Sequence, residues 1–205
     1  MLPPFQLILS FLVPAAVAIK EATENHTSQT TLKHLQEAFN GESNASHRYL
    51  QFAKKADLEG FSQVASLFRA ASKAEEFHAR NHAEVIQKLG SEPKATIETP
   101  VVKSTKENLQ AAMEGEAYER DVMYPPFIEQ AKNERCPEAI RTFTYALKTE
   151  AEHARLFEDA LKHLAKMRNR TTYYVCNVCG YTVQSLNFLK CLVCGHSKAD
   201  YVPVS

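Results

Sequence analysis

The sequence has no tryptophan and only six glycines in 205 residues. It has no excess of charge of either sign, with 24 Lys plus Arg against 24 Asp plus Glu. A neutral balance without a basic stripe removes the electrostatic footprint of a nucleic-acid binder. Scarce glycine in a chain rich in Ala, Glu, Lys and Leu excludes loop-rich and collagen-like folds and favours long helices. Cysteine is also sparse, at five, yet four of the five fall between Cys176 and Cys194. That clustering points to one local device rather than to a disulfide framework spread over the chain.

The first twenty residues differ from all the others. An apolar run from Phe5 to Ile19 carries no charge before Lys20. It is short for a membrane span. Ala16-Val17-Ala18 has the small-x-small form of a signal-peptidase site, although no Lys or Arg precedes the run. Residues 1–18 are therefore expected to be a signal peptide for an exported or periplasmic protein. A retained leader would instead make a short membrane anchor. Residues 19–30 form a polar lead-in.

Four long segments with helical periodicity follow, at about 31–58, 62–89, 104–133 and 137–167. Ser62 is the expected N-cap of the second, and Ser104-x-x-Glu107 is a capping box for the third. Pro125-Pro126 should kink or interrupt the third. A long connection with two prolines, residues 90–104, joins the two pairs.

The pairs are internal copies. LQEAFNGES at 35–43 matches LQAAMEGEA at 109–117, and KAEEFHAR at 73–80 matches KTEAEHAR at 148–155. Glu42 thus pairs with Glu116, Glu75 with Glu150, and His78 with His153. Glu-x-x-His puts both side chains on one helical face. One such pair is common on a solvated surface. Two, each after a matched Gly-Glu, describe a four-helix bundle of the ferritin-like kind whose centre holds two divalent metal ions. Gly41 and Gly115 are expected at a close helix crossing. Glu119, one turn past Glu116, is an additional inward candidate whose counterpart is Ala45. Tyr49 and Tyr124 are expected in the core, with hydroxyls satisfied there or by ligand carboxylates. His82 is expected at the surface or behind a ligand, Cys136 as a small buried hydrophobe, and His34, His47 and His163 show no pattern.

At the C-terminus, Cys176-x-x-Cys179-Gly180 and Cys191-x-x-Cys194-Gly195 form two knuckles. Two knuckles suit one tetrahedral metal better than a pair of disulfides, and so small a module needs the metal to fold. Spacing does not choose between zinc and iron.

Taken together, GES at 41–43, EEFHA at 75–79, GEAYE at 115–119, MYP at 123–125, EAEHA at 150–154 and the knuckles resemble rubrerythrin. The resemblance covers about residues 31–204. It implies a ferritin-like diiron domain at 31–167 and a small rubredoxin-like β/knuckle domain at 168–205. It implies Glu42, Glu75, His78, Glu116, Glu119, Glu150 and His153 as ligands of two iron ions, with Glu75 and Glu150 bridging and Glu119 and His78 exchanging on one iron. It implies one iron held by Cys176, Cys179, Cys191 and Cys194. The implied activity is a peroxidase reducing hydrogen peroxide to water in oxidative-stress defence, with Glu119, His78, Tyr49 and Tyr124 nearest the chemistry. Electrons would come from a donor protein or reductase and pass between subunits of a homodimer or higher oligomer. The family is mostly cytoplasmic, which sets the leader apart. The competing functions are a ferroxidase or iron-handling protein, and a non-catalytic metal-binding protein with zinc in the knuckles.

Overall fold

The computed structural model describes residues 29–205. The expected leader lies outside the described residues, as does all but the end of the polar lead-in. The elements run α1 (Gln29–Leu58), α2 (Ser62–Lys88), α3 (Thr105–Tyr118), a π-helical turn (Glu119–Met123), α4 (Tyr124–Asn133) and α5 (Pro137–Lys162). A 3-10 turn at Leu164–Lys166 leads into β1 (Tyr173–Cys176), β2 (Thr182–Val183) and β3 (Tyr201–Val204). The helices form a bundle, and the strands form an antiparallel sheet in the order β2-β1-β3. No helix among the described residues is long and apolar enough to cross a membrane.

The capping box forms as its residues predict. Glu107 N–H donates to the Ser104 hydroxyl and Ser104 N–H to the Glu107 carboxylate. Ser62 does not act as a cap. It is the first helical residue of α2, and Phe61 holds the cap position without a side-chain bond. An orphan donor there, Gln63 N–H, is taken by the Met167 carbonyl at 3.2 Å, so tertiary contact replaces local capping.

The interruption expected at Pro125-Pro126 occurs just ahead of them. The Tyr124 N–H reaches back to the Glu119 carbonyl, an i to i+5 bond. The prolines then occupy the first turn of α4, where a missing N–H costs little. This π turn accommodates one extra residue: Glu116 to Tyr124 is one position longer than Glu42 to Tyr49. It keeps both tyrosines facing the centre, as π-bulges at functional sites often do.

The connection at 90–104 is held by an amide ladder on α1. Gln36, Asn40 and Asn44 bond the backbone of Glu92, Lys94, Thr96 and Glu98 at 2.7–3.1 Å. Four helical residues rise about 6 Å and two extended residues about 6.6 Å, so the two repeats stay in step.

The apolar interior is divided. One cluster holds Tyr49, Phe52, Phe68 and Phe157. A second holds Leu35, Ile86, Tyr124, Phe127 and Phe143. The acidic residues of the repeat lie between them along the helices. Tyr173 and Val175 of β1 belong to the first cluster, which seats the small module on the bundle. The glycine expectation fails: a Cβ at Gly41 would meet nothing within 4 Å, and one at Gly115 only the Arg48 guanidinium at 4.0 Å. No close crossing explains either residue.

Asn44→Ala removes both ladder bonds of the outer rung. Faster hydrogen exchange at the Glu98 amide and a loss of about 1 kcal/mol are expected. Unchanged protection at Glu98 would show that the ladder does not hold the connection.

Candidate metal centres

Each helix delivers its share at helical spacing. Glu42 comes from α1, Glu75 and His78 from α2, Glu116 from α3, and Glu150 and His153 from α5. All six are at most 1% exposed. They form two overlapping groups, Glu42–Glu75–His78–Glu150 and Glu75–Glu116–Glu150–His153, in each of which the donor atoms lie within 4.8 Å of one another. Glu75 and Glu150 belong to both. His78 Nδ1 lies 2.8 Å from Glu75 and 3.0 Å from Glu150. His153 Nδ1 lies 2.9 Å from Glu150 and 3.2 Å from Glu75.

The atoms facing this space are short of partners. Glu42 Oε2, Glu75 Oε1, Glu116 Oε2, both Glu150 oxygens and His153 Nδ1 are buried without a hydrogen bond. Buried carboxylates are costly unless a cation balances them. Two imidazoles offset at most two of the four carboxylates. The donor set and its sharing therefore fit two divalent cations bridged by two carboxylates.

Electrostatics agree. Burial first, then the neighbouring carboxylates Glu75 and Glu150, push Glu42 and Glu116 well above the ordinary carboxylate range. Burial also works against the charged forms of His78 and His153, but the surrounding carboxylates outweigh it and raise both imidazoles. Burial opposes the Glu150 charge too, yet His78 and His153 on either side hold this carboxyl low.

The outer nitrogens are held as well. His78 Nε2 bonds the Cys179 carbonyl at 3.0 Å, and His153 Nε2 bonds the Thr182 hydroxyl at 3.2 Å. Thr182 in turn donates to the Gly180 carbonyl at 3.0 Å. Donation from Nε2 leaves each Nδ1 as the ligand atom, the usual arrangement behind metal-bound histidine. Tyr49 donates to Glu116 and Tyr124 to Glu42. Burial and those carboxylates keep both phenols protonated.

Glu119 stands apart. It opens the π turn, is half-buried, and belongs to neither group. Burial and the charges of Glu42, Glu150 and Glu75 still raise its carboxyl. His82 is fully buried, bonded to Tyr124 at 3.1 Å and Thr142 at 3.0 Å. Burial, then the neighbouring His78, push it down to about 3, so it is neutral. A histidine one turn beyond His78 was the sequence signal for it, but its partners come from α4 and α5 and no local pattern names them. His34 stacks on Phe127 with centroids 4.1 Å apart. Cys136 is buried with a free thiol, as its setting predicts.

The four knuckle cysteines also converge, and none forms a disulfide. Cys176 and Cys194 sulfurs are 3.7 Å apart, and Cys179 and Cys191 3.5 Å. Tetrahedral thiolates about 2.3 Å from one metal would stand about 3.8 Å apart. The first knuckle lies directly on the carboxylate cluster. Thr149 donates to the same Cys179 carbonyl that receives His78, at 3.0 Å. Gly180 has φ +80°, and a Cβ there would lie 2.4 Å from His78 Nε2. Only glycine permits this approach. The contact is made within one chain, where the resemblance placed electron transfer between subunits.

The family model described as Rubrerythrin matches residues 33–161. Rubrerythrin-2 of Clostridium acetobutylicum is 36% identical over 175 residues, covering 83% of this chain and 95% of its own. Nigerythrin of Nitratidesulfovibrio vulgaris is 34% identical over 173 residues, covering 84% and 85%. The fold superposes on fully reduced, all-ferrous nigerythrin with a TM-score of 0.79 at 32% identity, over 84% of this chain and 86% of that one.

Two outcomes test the geometry. Gly180→Ala should unseat the knuckle and lower stability by more than about 2 kcal/mol. Gly195→Ala, also at positive φ but with nothing within 4 Å, should cost only the backbone strain of about 1 kcal/mol. Equal melting temperatures for the two would refute the close approach. In chelator-stripped protein, the raised Glu42, Glu116, His78 and His153 keep protons that the unfolded chain has released. Stability should therefore fall as pH rises from about 5 to about 8, and divalent metal should offset the loss. Glu150, held low, acts in the opposite sense only at more acidic pH, while neutral His82 opposes the trend below about 6.5 as one group against four. A melting temperature that climbs over this interval without metal would contradict the assignment.

Proposed function

This chain belongs to the rubrerythrin family, and from that premise we propose that it is a peroxidase reducing hydrogen peroxide to water in defence against oxidative stress. The net reaction consumes one peroxide, two protons and two electrons and gives two waters. Two iron ions in the carboxylate–histidine cluster would supply the electron pair that cleaves the O–O bond, and one iron among the four thiolates would restore it one electron at a time.

The observation that carries this reading is the seating of the Cys179 carbonyl on His78. An iron-storage or ferroxidase site has no use for a thiolate centre against its ligand histidine, whereas a reductase requires a short, fixed path for returning electrons. The chain's residues divide the work. Glu42 and His78 would hold one ion, Glu116 and His153 the other, and Glu75 and Glu150 both. Bridging carboxylates can shift their binding mode as charge changes. His78 lies within its group while Glu119 waits half-buried outside it. That matches one of the two positions in the His78/Glu119 exchange the family implies. Tyr49 and Tyr124 fix Glu116 and Glu42 by donating to them. The aromatic clusters on either side keep bulk water out. A donor protein or reductase is required to refill the thiolate centre. Export by the leader, and a homodimer, remain part of the proposal.

The test is a visible spectrum of protein purified without added metal, taken before and after dithionite and then peroxide. A red iron–thiolate absorption that bleaches with dithionite and returns with stoichiometric peroxide is expected. Colourless protein with zinc in the knuckles would defeat the reading. Glu119→Ala should keep its fold and iron content yet reoxidise at least about tenfold more slowly, a loss of ~1.4 kcal/mol in barrier terms. An unchanged rate removes Glu119 from the reaction.

A further inference from the structure

Four tyrosines pack about the cysteines of the small module. Tyr145, Tyr174 and Tyr181 are partly exposed, whereas Tyr201 is buried together with Cys176, Cys179 and Cys191. The sheet puts it there. Tyr201 on β3 is the register partner of Cys176 on β1, and residues opposite each other on an antiparallel pair present their side chains to the same face. Phe188, in the segment leading into the second knuckle, packs against the Tyr201 ring with centroids 5.3 Å apart and planes at 60°. The ring is thus held between β1 and the second knuckle.

Its hydroxyl is the anomaly. The Tyr201 oxygen is buried and makes no hydrogen bond among the described residues. A buried hydroxyl left in that state costs about 1–3 kcal/mol. The other fully buried tyrosines are all satisfied. Tyr49 and Tyr124 donate to carboxylates, and the Tyr173 oxygen accepts from Gln184 at 3.2 Å. The Cys191 sulfur stands within reach of the Tyr201 hydroxyl, and burial first, then Cys191, keep this phenol protonated. A neutral thiol is a weak acceptor. A thiolate held on a metal is a charged one, and a buried donor beside it has a partner only in that state.

We propose that, when metal holds the four cysteines as thiolates, the Tyr201 hydroxyl donates to Cys191 Sγ and thereby raises the reduction potential of the four-cysteine centre. The bond itself needs only a thiolate and a tetrahedral metal. Its effect on potential rests on the reading above that this metal is iron. Four thiolates exceed the charge of ferric iron by one and that of ferrous iron by two, so the electron arrives with no change in the ligands. A fixed donor at one sulfur stabilises the more negative, reduced state more strongly, which moves the couple to higher potential. Tyr201 acts through Cys191 and is a positioning residue, not a ligand.

Two measurements on the full chain test this. In protein whose knuckles are loaded with cadmium-113, the Tyr201 hydroxyl proton should exchange slowly with water and show scalar coupling to the metal across the O–H···S bond. The coupled signal should vanish in Tyr201→Phe. In iron-loaded protein, Tyr201→Phe should lower the ratio of reduced to oxidised thiolate centre at a fixed ambient potential about threefold or more, equal to ~28 mV for a one-electron couple. Tyr173→Phe removes a buried hydroxyl from the same sheet, but one paired with Gln184, and should leave the potential unchanged. Wild-type protein without a cadmium-coupled hydroxyl proton overturns the bond. A potential that Tyr201→Phe does not lower, or that Tyr173→Phe lowers as far, overturns the tuning. Knuckles that will not hold iron defeat the function proposed above and the tuning with it, and the cadmium coupling alone then decides the bond.

Discussion

The structure depends on four carboxyl groups buried against one another. Four carboxylates meet with two imidazoles between two apolar clusters, in a space that offers their inner oxygens no partner. An arrangement of this kind is unstable without cations and specific with them, because the energy of pairing falls steeply once a ligand is displaced. Much of the surrounding architecture keeps these groups in place. The tyrosines donate to the terminal carboxylates, the Cys179 carbonyl and Thr182 fix the imidazole rings, and the π turn keeps Tyr124 in register.

That constraint also explains the small module's position. Its sheet contributes Tyr173 and Val175 to the bundle core, and its first knuckle presents a carbonyl to His78 across a gap that admits no side chain at position 180. The module therefore does two things at once. It orients both cluster histidines, and it brings a thiolate ligand within one hydrogen bond of the carboxylate centre. Loss of a metal from the knuckle would be felt in the bundle, since the carbonyl that holds His78 belongs to Cys179, one of the four cysteines that would hold it.

The bundle, the two knuckles and the six inward residues could be read from the chain because each rests on a local period. Glu-x-x-His repeats at helical spacing, and Cys-x-x-Cys-Gly is a self-contained turn. What depended on distant partners could not be read. The amide ladder of Gln36, Asn40 and Asn44 is a surface pattern until the connection at 90–104 lies along it. Gly41 and Gly115 suggested a close crossing, but the glycine that a close approach requires is Gly180, in the other domain. Ser62 had the composition of a cap, and tertiary contact with Met167 made a cap unnecessary. His82 lay one turn past a ligand, with nothing nearby in sequence to reveal that Tyr124 and Thr142 would flank it.

The repeat makes the two halves alike where they would hold metal and different where they meet their surroundings. Each tyrosine supports the carboxylate of the opposite half, Tyr49 on Glu116 and Tyr124 on Glu42. Behind Tyr49 stand aromatic rings, and behind Tyr124 stands an imidazole with a hydroxyl beyond it. A symmetric site would offer a substrate two equivalent faces. Here one end of the cluster is backed by aromatic rings and the other by hydrogen-bonding side chains. Glu119 adds to the asymmetry on the second half, where the first has Ala45. The duplication is therefore preserved in the residues that face inward and relaxed in those one layer further out.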